Sequence, residues 1–274
     1  MKAGKTKFRL LAVDLDGTLL TGDKRISPRS QAALAQARRA GVHIVLASAR
    51  PPRSVMPFYT QLELDTPMIN YNGALVYDPP SQRVLAHRPI PADMAADLVQ
   101  TARAQHPDVV VSAEVLDRWF TDRVDDRYMT ETARHCRPDV LGPIDEWLNR
   151  PVTKLLLLGE QPMLASLRRG FERTHAHQVT MVQLEGFLLQ LMHATTSKAQ
   201  ALREVAAELG VAREETLAIG DNANDVGMLQ WAGTSVAVAN ACPEALAVAD
   251  HIADHHDNDG AAKAIEQLVL HGKN

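Results

Sequence analysis

Four short apolar runs, FRLLAV (8–13), VHIVLAS (42–48), TLAIG (216–220) and SVAVA (235–239), are set among helical patterns and break on turn or polar residues. Strands separated by helices cannot pair as simple hairpins. They need crossovers, and the result is a parallel sheet covered by helices. The first crossover is well marked. SPRSQAALAQARRAG predicts a helix with Ser27 as N-cap, Pro28 at its first position and Gly41 closing it. PPRSVMPFYTQLEL reads as a helix broken up by its prolines, and PMINYNGALVYD as a strand running into a hairpin around DPPSQR. Near the other end SKAQALREVAAELG is helical, and two further helices close the chain after SVAVA.

Between about Leu85 and Leu191 the pattern changes. Helices are predicted over Ala92–Gln105, Asp126–Arg134 and Met163–Thr174. Strands are predicted at VVVSAE, RWFT, TKLLLLG, HQVTMVQL and FLLQLM, the last two turned at Glu185-Gly186. A chain of 274 residues exceeds the usual single domain, and its 46% hydrophobic residues suffice for two cores. The expected fold class is therefore α/β: a doubly wound, Rossmann-like parallel-sheet core over 1–84 and 192–274, with an α/β domain inserted over 85–191.

Charge narrows the function. A net charge of -4 leaves no basic face for nucleic acid and no lysine-rich block for anionic lipid. The basic start, MKAGKTK, is followed by an apolar run that ends at Val13, too short for a signal sequence or a membrane span. Cys136 and Cys242 lack metal-site or redox spacing. The expectation is a cytoplasmic protein with unpaired thiols.

In open parallel sheets ligands bind beyond the carboxyl ends of the strands, and four polar clusters fall there. They are Asp14 and Asp16, Ser48, Lys198, and GDNAND from Gly220 to Asp225. Residues two apart on an extended segment share a face, so Asp14 and Asp16 are expected to converge, with Asp221 and Asp225 brought to the same rim. Several carboxylates without a histidine or cysteine set suit a hard cation, Mg²⁺ above all. Lys198, the Ser48 hydroxyl and helix N-termini at that rim are what a phosphate dianion requires. A carboxylate beside such a cation can attack phosphorus, and a second can protonate the leaving oxygen and then activate water.

These clusters, in this order, resemble the motifs of the haloacid dehalogenase superfamily of phosphohydrolases. DLDGTLL resembles the first, ASAR the second, TSK the third and GDNANDVGML the fourth. The insertion after YNGA is similar in layout to the αβ cap (C2B) of the Cof-type branch. The resemblance implies Asp14 as nucleophile and Asp16 as general acid and base. It implies a magnesium held by the Asp14 carboxylate, the Asp16 carbonyl and Asp221, with Asp225 supporting it. Ser48, Lys198 and Asn224 would hold the phosphoryl group, with Arg50 and Asn72 as further substrate contacts, and a cap would close over the substrate. Two positions depart from the pattern: Ala49 stands where the second motif usually has glycine, and HATT precedes the third.

Taken singly, several of these residues have plainer readings. Asn72-Gly73 reads first as a turn, Lys198 as a helix-start lysine and Ser48 as a helix cap. His251 and His255 could share a helical face, with His256 following, but lacking a ligand framework they read as surface histidines. Trp119, Phe120, Trp147 and Phe187 read mainly as packing. The expected activity is a Mg²⁺-dependent phosphatase acting on a small phosphorylated metabolite, a sugar phosphate first and a cofactor phosphate second. A phosphomutase on the same scaffold and a non-catalytic sensor of a phosphorylated ligand are the alternatives.

Overall fold

The structure is a computed structural model that describes residues 6–130, 133–134 and 136–272. The chain divides into two compact units, 1–86 with 197–274, and 87–196. These bounds lie slightly beyond the expected 84/85 and 191/192.

The first unit starts with β1 (Leu10–Val13), whose four residues are all buried. The helix Pro28–Arg39 follows, with the Ser27 hydroxyl accepting from Ser30 N–H and Gly41 in the left-handed region at φ 87°. Next comes β2 (His43–Leu46), parallel to β1. The helix Pro52–Gln61 is not broken: Pro57 lies inside it. Proline removes one backbone bond there, but Val55 and Tyr59 are buried, and Met56 and Phe58 pack on the same core. Strands β3 (Met68–Asn70), β4 (Leu75–Asp78) and β5 (Arg83–His87) form a small antiparallel sheet. The hairpin between β4 and β5 falls at DPPSQR, and β3 also bridges to Ala47 in parallel.

The second unit holds β6 (Val110–Val115), β7 (Arg118–Thr121), β8 (Val140–Leu141), β9 (Lys154–Leu158), β10 (Val179–Glu185) and β11 (Leu188–His193). They form one sheet in the order β10-β11-β9-β6-β7-β8. Alternation decides its two faces. Val111, Ala113, Leu155, Leu157, Leu189 and Leu191 meet the helices Ala92–Gln105 and Gln161–Thr174, while Val110, Leu156, Leu158 and Leu188 face the other way. Phe120 and Trp147 belong to the helical side of this core, as packing. Of the helix expected over 126–134, Asp126–Tyr128 form a 3-10 turn and residues 133 and 134 are helical, while positions 131, 132 and 135 lie outside the described residues. A short helical turn, Ile144–Trp147, occupies part of the loop rich in Pro and Gly.

The chain re-enters the first unit at the helix Lys198–Glu208, then forms β12 (Thr216–Gly220), β13 (Thr234–Val238) and β14 (His251–Ala253). The parallel sheet has the order β14-β13-β12-β1-β2, so β1 sits between β12 and β2. The closing helices are Pro243–Val248 and Gly260–Ile265. Strand β14 between them escapes sequence pattern reading because it is three residues long and largely exposed. Its presence also means that His251 and His255 do not share a helical face. No helix among the described residues is long and apolar enough to cross a membrane.

Candidate active site

Strand β1 delivers Asp14. The Asp14 N–H still donates to Ile219 O at 3.0 Å, so the residue continues the ladder with β12, and it is buried. Immediately afterwards the chain turns: Leu19 N–H reaches back to Asp14 O and Leu20 N–H to Leu15 O. Gly17 lies in this turn at φ 82°, and a Cβ there would lie 2.6 Å from an Asp221 carboxylate oxygen. Only glycine meets both conditions. Gly17→Ala is expected to cost about 1–3 kcal/mol through its backbone alone, and to push Asp221 off its position. Urea unfolding, together with the Mg²⁺ concentration giving half-maximal phosphate release, measures both effects; the second should rise.

Strand β12 delivers Asp221, whose Oδ1 accepts from the Thr18 hydroxyl at 2.6 Å. The loop after it is folded around Asp225. One oxygen of that carboxylate accepts the backbone N–H groups of Asp221 and Asn222, each at 3.1 Å. The other accepts from Lys198 Nζ at 2.6 Å. Gly220 permits this, since a Cβ there would lie 2.6 Å from the Asp225 side chain. Lys198 opens its helix behind the Ser197 N-cap, and its ammonium also reaches Asp14 Oδ1 at 2.5 Å. The three side chains are buried together.

The charges in this cluster do not balance. One oxygen from each of Asp14, Asp221 and Asp225 falls within a 4.8 Å group, and Lys198 is the cation bonded among them. Burial drives the Asp14 carboxyl well above the ordinary carboxylate range. Lys198 opposes that shift, while Asp225 and Asp221 add to it. Asp221 is raised too, again chiefly by burial. Burial alone would depress Lys198, but the Asp14 and Asp225 charges outweigh it and raise its affinity for the proton. Surplus negative charge on oxygen donors fits a hard divalent cation such as Mg²⁺. Both Asp225 oxygens are already engaged, which leaves Asp14 and Asp221 as the carboxylates able to hold the ion directly.

Asp16 is placed elsewhere. Its carboxylate accepts Arg50 Nε and Nη2, each at 2.6 Å, and Lys24 Nζ at 2.8 Å. Burial pushes its carboxyl up, but the Arg50 fork and Lys24 prevail and hold it below the usual range. The expected convergence of the Asp14 and Asp16 carboxylates in one cluster therefore does not occur. The alternation rule needs extended backbone, and the chain turns at residues 15–20.

Ser48 lies just past β2, buried, its hydroxyl oxygen accepting Arg50 N–H at 3.1 Å and keeping its own proton to donate. Asn72 is in the left-handed region at φ 57°, in the turn between β3 and β4. Its Oδ1 accepts from Asn224 Nδ2 at 2.8 Å, so it orients Asn224 and leaves that amide one further hydrogen. Among the described residues Asn224 Oδ1 has no hydrogen-bond partner. Gly73, at φ 96°, packs against the residue before Lys198; a Cβ there would lie 2.3 Å from Ser197 O.

Sequence reasoning missed Thr18, Lys24 and the Asn72–Asn224 bond. Thr18 sits inside DLDGT and could have been read as a donor to a neighbouring acid. The others depend on loop geometry that carries no local pattern.

With this geometry in place, three comparisons are informative. A family model described as haloacid dehalogenase-like hydrolase matches residues 11–265. The chain is 28% identical to the 5-amino-6-(5-phospho-D-ribitylamino)uracil phosphatase YitU of Bacillus subtilis, covering 96% of this chain and 98% of that protein. It is 30% identical to the pyridoxal phosphate phosphatase YbhA of Escherichia coli, covering 96% and 99%. Among solved structures, a haloacid dehalogenase-like hydrolase from Bacteroides thetaiotaomicron superposes with a TM-score of 0.85 at 28% identity, over 95% of this chain and 99% of that one. A match over nearly the whole chain, with the acidic cluster and its lysine at the strand ends, means that the chain belongs to the haloacid dehalogenase-like hydrolases.

Proposed function

We propose that the protein is a Mg²⁺-dependent phosphatase that hydrolyses a small phosphorylated metabolite through an aspartyl-phosphate on Asp14. The observation that carries this reading is the buried set of Asp14, Lys198, Asp225 and Asp221, which carries more negative charge than its lysine balances. Magnesium, held by Asp14 and Asp221, would screen the phosphate charge from the attacking carboxylate. An Asp14 oxygen forms a bond to phosphorus while the ester oxygen leaves with its electron pair and takes a proton from Asp16, which must first exchange its Arg50 and Lys24 contacts for that proton. Water then attacks the same phosphorus, Asp16 takes its proton, and the bond to Asp14 breaks to release inorganic phosphate. Lys198 opposes the burial that raises Asp14 and holds that carboxylate in place, and Ser48 and Asn224 donate to phosphoryl oxygens. The unit 87–196 is proposed as the cap.

YitU and YbhA act by name on the phosphate of a ribityl chain and on pyridoxal phosphate. Those activities support placing cofactor phosphates and their precursors level with sugar phosphates as the substrate class. The test is phosphate release from a panel of both classes, with Mg²⁺ and with EDTA. Magnesium-dependent release supports the reading. Conversion of a sugar phosphate to its isomer without phosphate release would establish the mutase, and binding without turnover the sensor.

Asp16 has its own test. Asp16→Asn is expected to slow turnover by about 10²–10⁴-fold. An aryl phosphate, whose leaving group needs no proton, should then show a burst of one equivalent followed by slow hydrolysis. Equal loss on all substrates with no burst would remove Asp16 from the acid and base role.

A further inference from the structure

The segment DHHDND, residues 254–259, carries chemistry that the phosphatase reading does not use. It follows β14 and is bound to the turn after β1. His256 N–H donates to Asn240 Oδ1, and Gly22 N–H donates to Asp257 Oδ1 at 2.6 Å. His256 Nδ1 lies 2.7 Å from Leu20 O, and a carbonyl can only accept, so the ring proton is on Nδ1 and the Nε2 lone pair is open. The Asp257 N–H donates to His255 Nδ1 at 3.2 Å, so that nitrogen is the unprotonated one of its ring, and a metal there would take its lone pair in place of that long bond. With Asp257 Oδ1 taken by Gly22, Oδ2 faces both imidazoles, 3.6 Å from His256 Nε2 and 3.8 Å from His255 Nδ1.

Those separations come close to what a tetrahedral zinc requires. Zinc–nitrogen and zinc–oxygen distances of about 2.0–2.2 Å at a tetrahedral centre put ligand atoms about 3.3–3.6 Å apart. One atom from each of the three residues already falls within a 4.8 Å group, and small ring rotations would close it. His255 and Asp257 are partly exposed, so a cation has an open path and a fourth position for water. The Leu20 carbonyl supplies the outer hydrogen bond that fixes a metal-binding imidazole. Nearby Asp254 and Asp259 keep the segment acidic.

We propose that His255, His256 and Asp257 form a second cation site, selective for a borderline transition metal of the Zn²⁺ class and separate from the all-oxygen site at Asp14 and Asp221. Imidazole ligands favour zinc, copper or nickel over magnesium, whereas carboxylates alone favour magnesium. The two sites thus sort two kinds of metal on one domain. This inference does not depend on the phosphatase reading.

The test is zinc binding to the whole protein in excess Mg²⁺, followed by competition with a chromophoric chelator and by equilibrium dialysis. One equivalent of Zn²⁺ is expected to be retained by wild type and, with the same affinity, by Asp221→Asn. His256→Gln and His255→Asn should each weaken it by about 100-fold or more, since even outer partners of metal ligands contribute 10–100-fold. If His256→Gln fails to fold for want of its Leu20 bond, His255→Asn carries the test, because its hydrogen bond lies within its own turn. No retained zinc, zinc lost with Asp221→Asn, or zinc unaffected by the histidine changes would each overturn the proposal.

Discussion

Asp14→Asn should lower phosphate release by at least about 10⁴-fold, the scale seen when a covalent nucleophile is removed, and should leave the fold as stable as before or more so. The second half follows from electrostatics. A carboxyl whose folded pKa is raised gives up stability as pH rises through its unfolded value towards the folded one. At neutral pH ionisation of Asp14 therefore weighs against the fold. The amide removes that charge while Lys198 keeps Asp225 as partner. Without Mg²⁺ the variant should melt at or above the wild-type temperature, and the rise that Mg²⁺ gives wild type should shrink. Thermal unfolding with and without Mg²⁺, beside a phosphate assay, reads both halves. A variant that still turns over would end the covalent mechanism, and one that melts far lower would mean Asp14 is structural.

Lys198→Met should do the opposite to stability. The ammonium is fully enclosed and bonded to two buried carboxylates. Removing one partner of a buried ion pair costs about 3–5 kcal/mol because the remaining charge is left uncompensated; here two charges are left. Activity should vanish as well, since Asp14 loses the cation that holds it in place and opposes its protonation. Mg²⁺ should recover part of the lost stability by supplying positive charge to the same carboxylates, which urea unfolding at several Mg²⁺ concentrations would show. Lys198→Arg should not rescue, because a planar fork does not fit where an ammonium sits between two single oxygens. An unchanged unfolding midpoint for Lys198→Met would refute the electrostatic account of the cluster.

Much of this was legible in the chain itself, for identifiable reasons. Ser27, Pro28 and Gly41 mark a helix because capping is a local matter, and the structure places them as cap, first position and left-handed end. TLAIG is a strand from Thr216 to Gly220 because short buried strands are dense in apolar residues, and RWFT is one from Arg118 to Thr121 because aromatic residues and threonine favour strands. The gathering of Asp14, Lys198, Asp221 and Asp225 could be anticipated because a parallel sheet aligns its strand ends. What could not be read was how side chains are shared between loops. Asp16 goes to Arg50 and Lys24 because of the turn at Gly17, and Asn72 orients Asn224 across 152 positions. The prolines of the second helix misled because tertiary burial of Val55 and Tyr59 overrides a single missing bond.

The position of β1 has a consequence in time. The ribosome completes this strand by Val13, yet its partner β12 begins only at Thr216. At 5–20 residues per second the wait is about 10–40 s. Throughout it one side of the most apolar strand of the nascent chain lacks its neighbour, and such an edge invites pairing with other chains. The unit 87–196 builds its sheet entirely from strands that leave the ribosome in between. Premature termination between the end of that unit at Thr196 and the completion of β12 at Gly220 would thus release a chain with a finished insertion and an open β1, the product a cell's chaperones and proteases would have to clear.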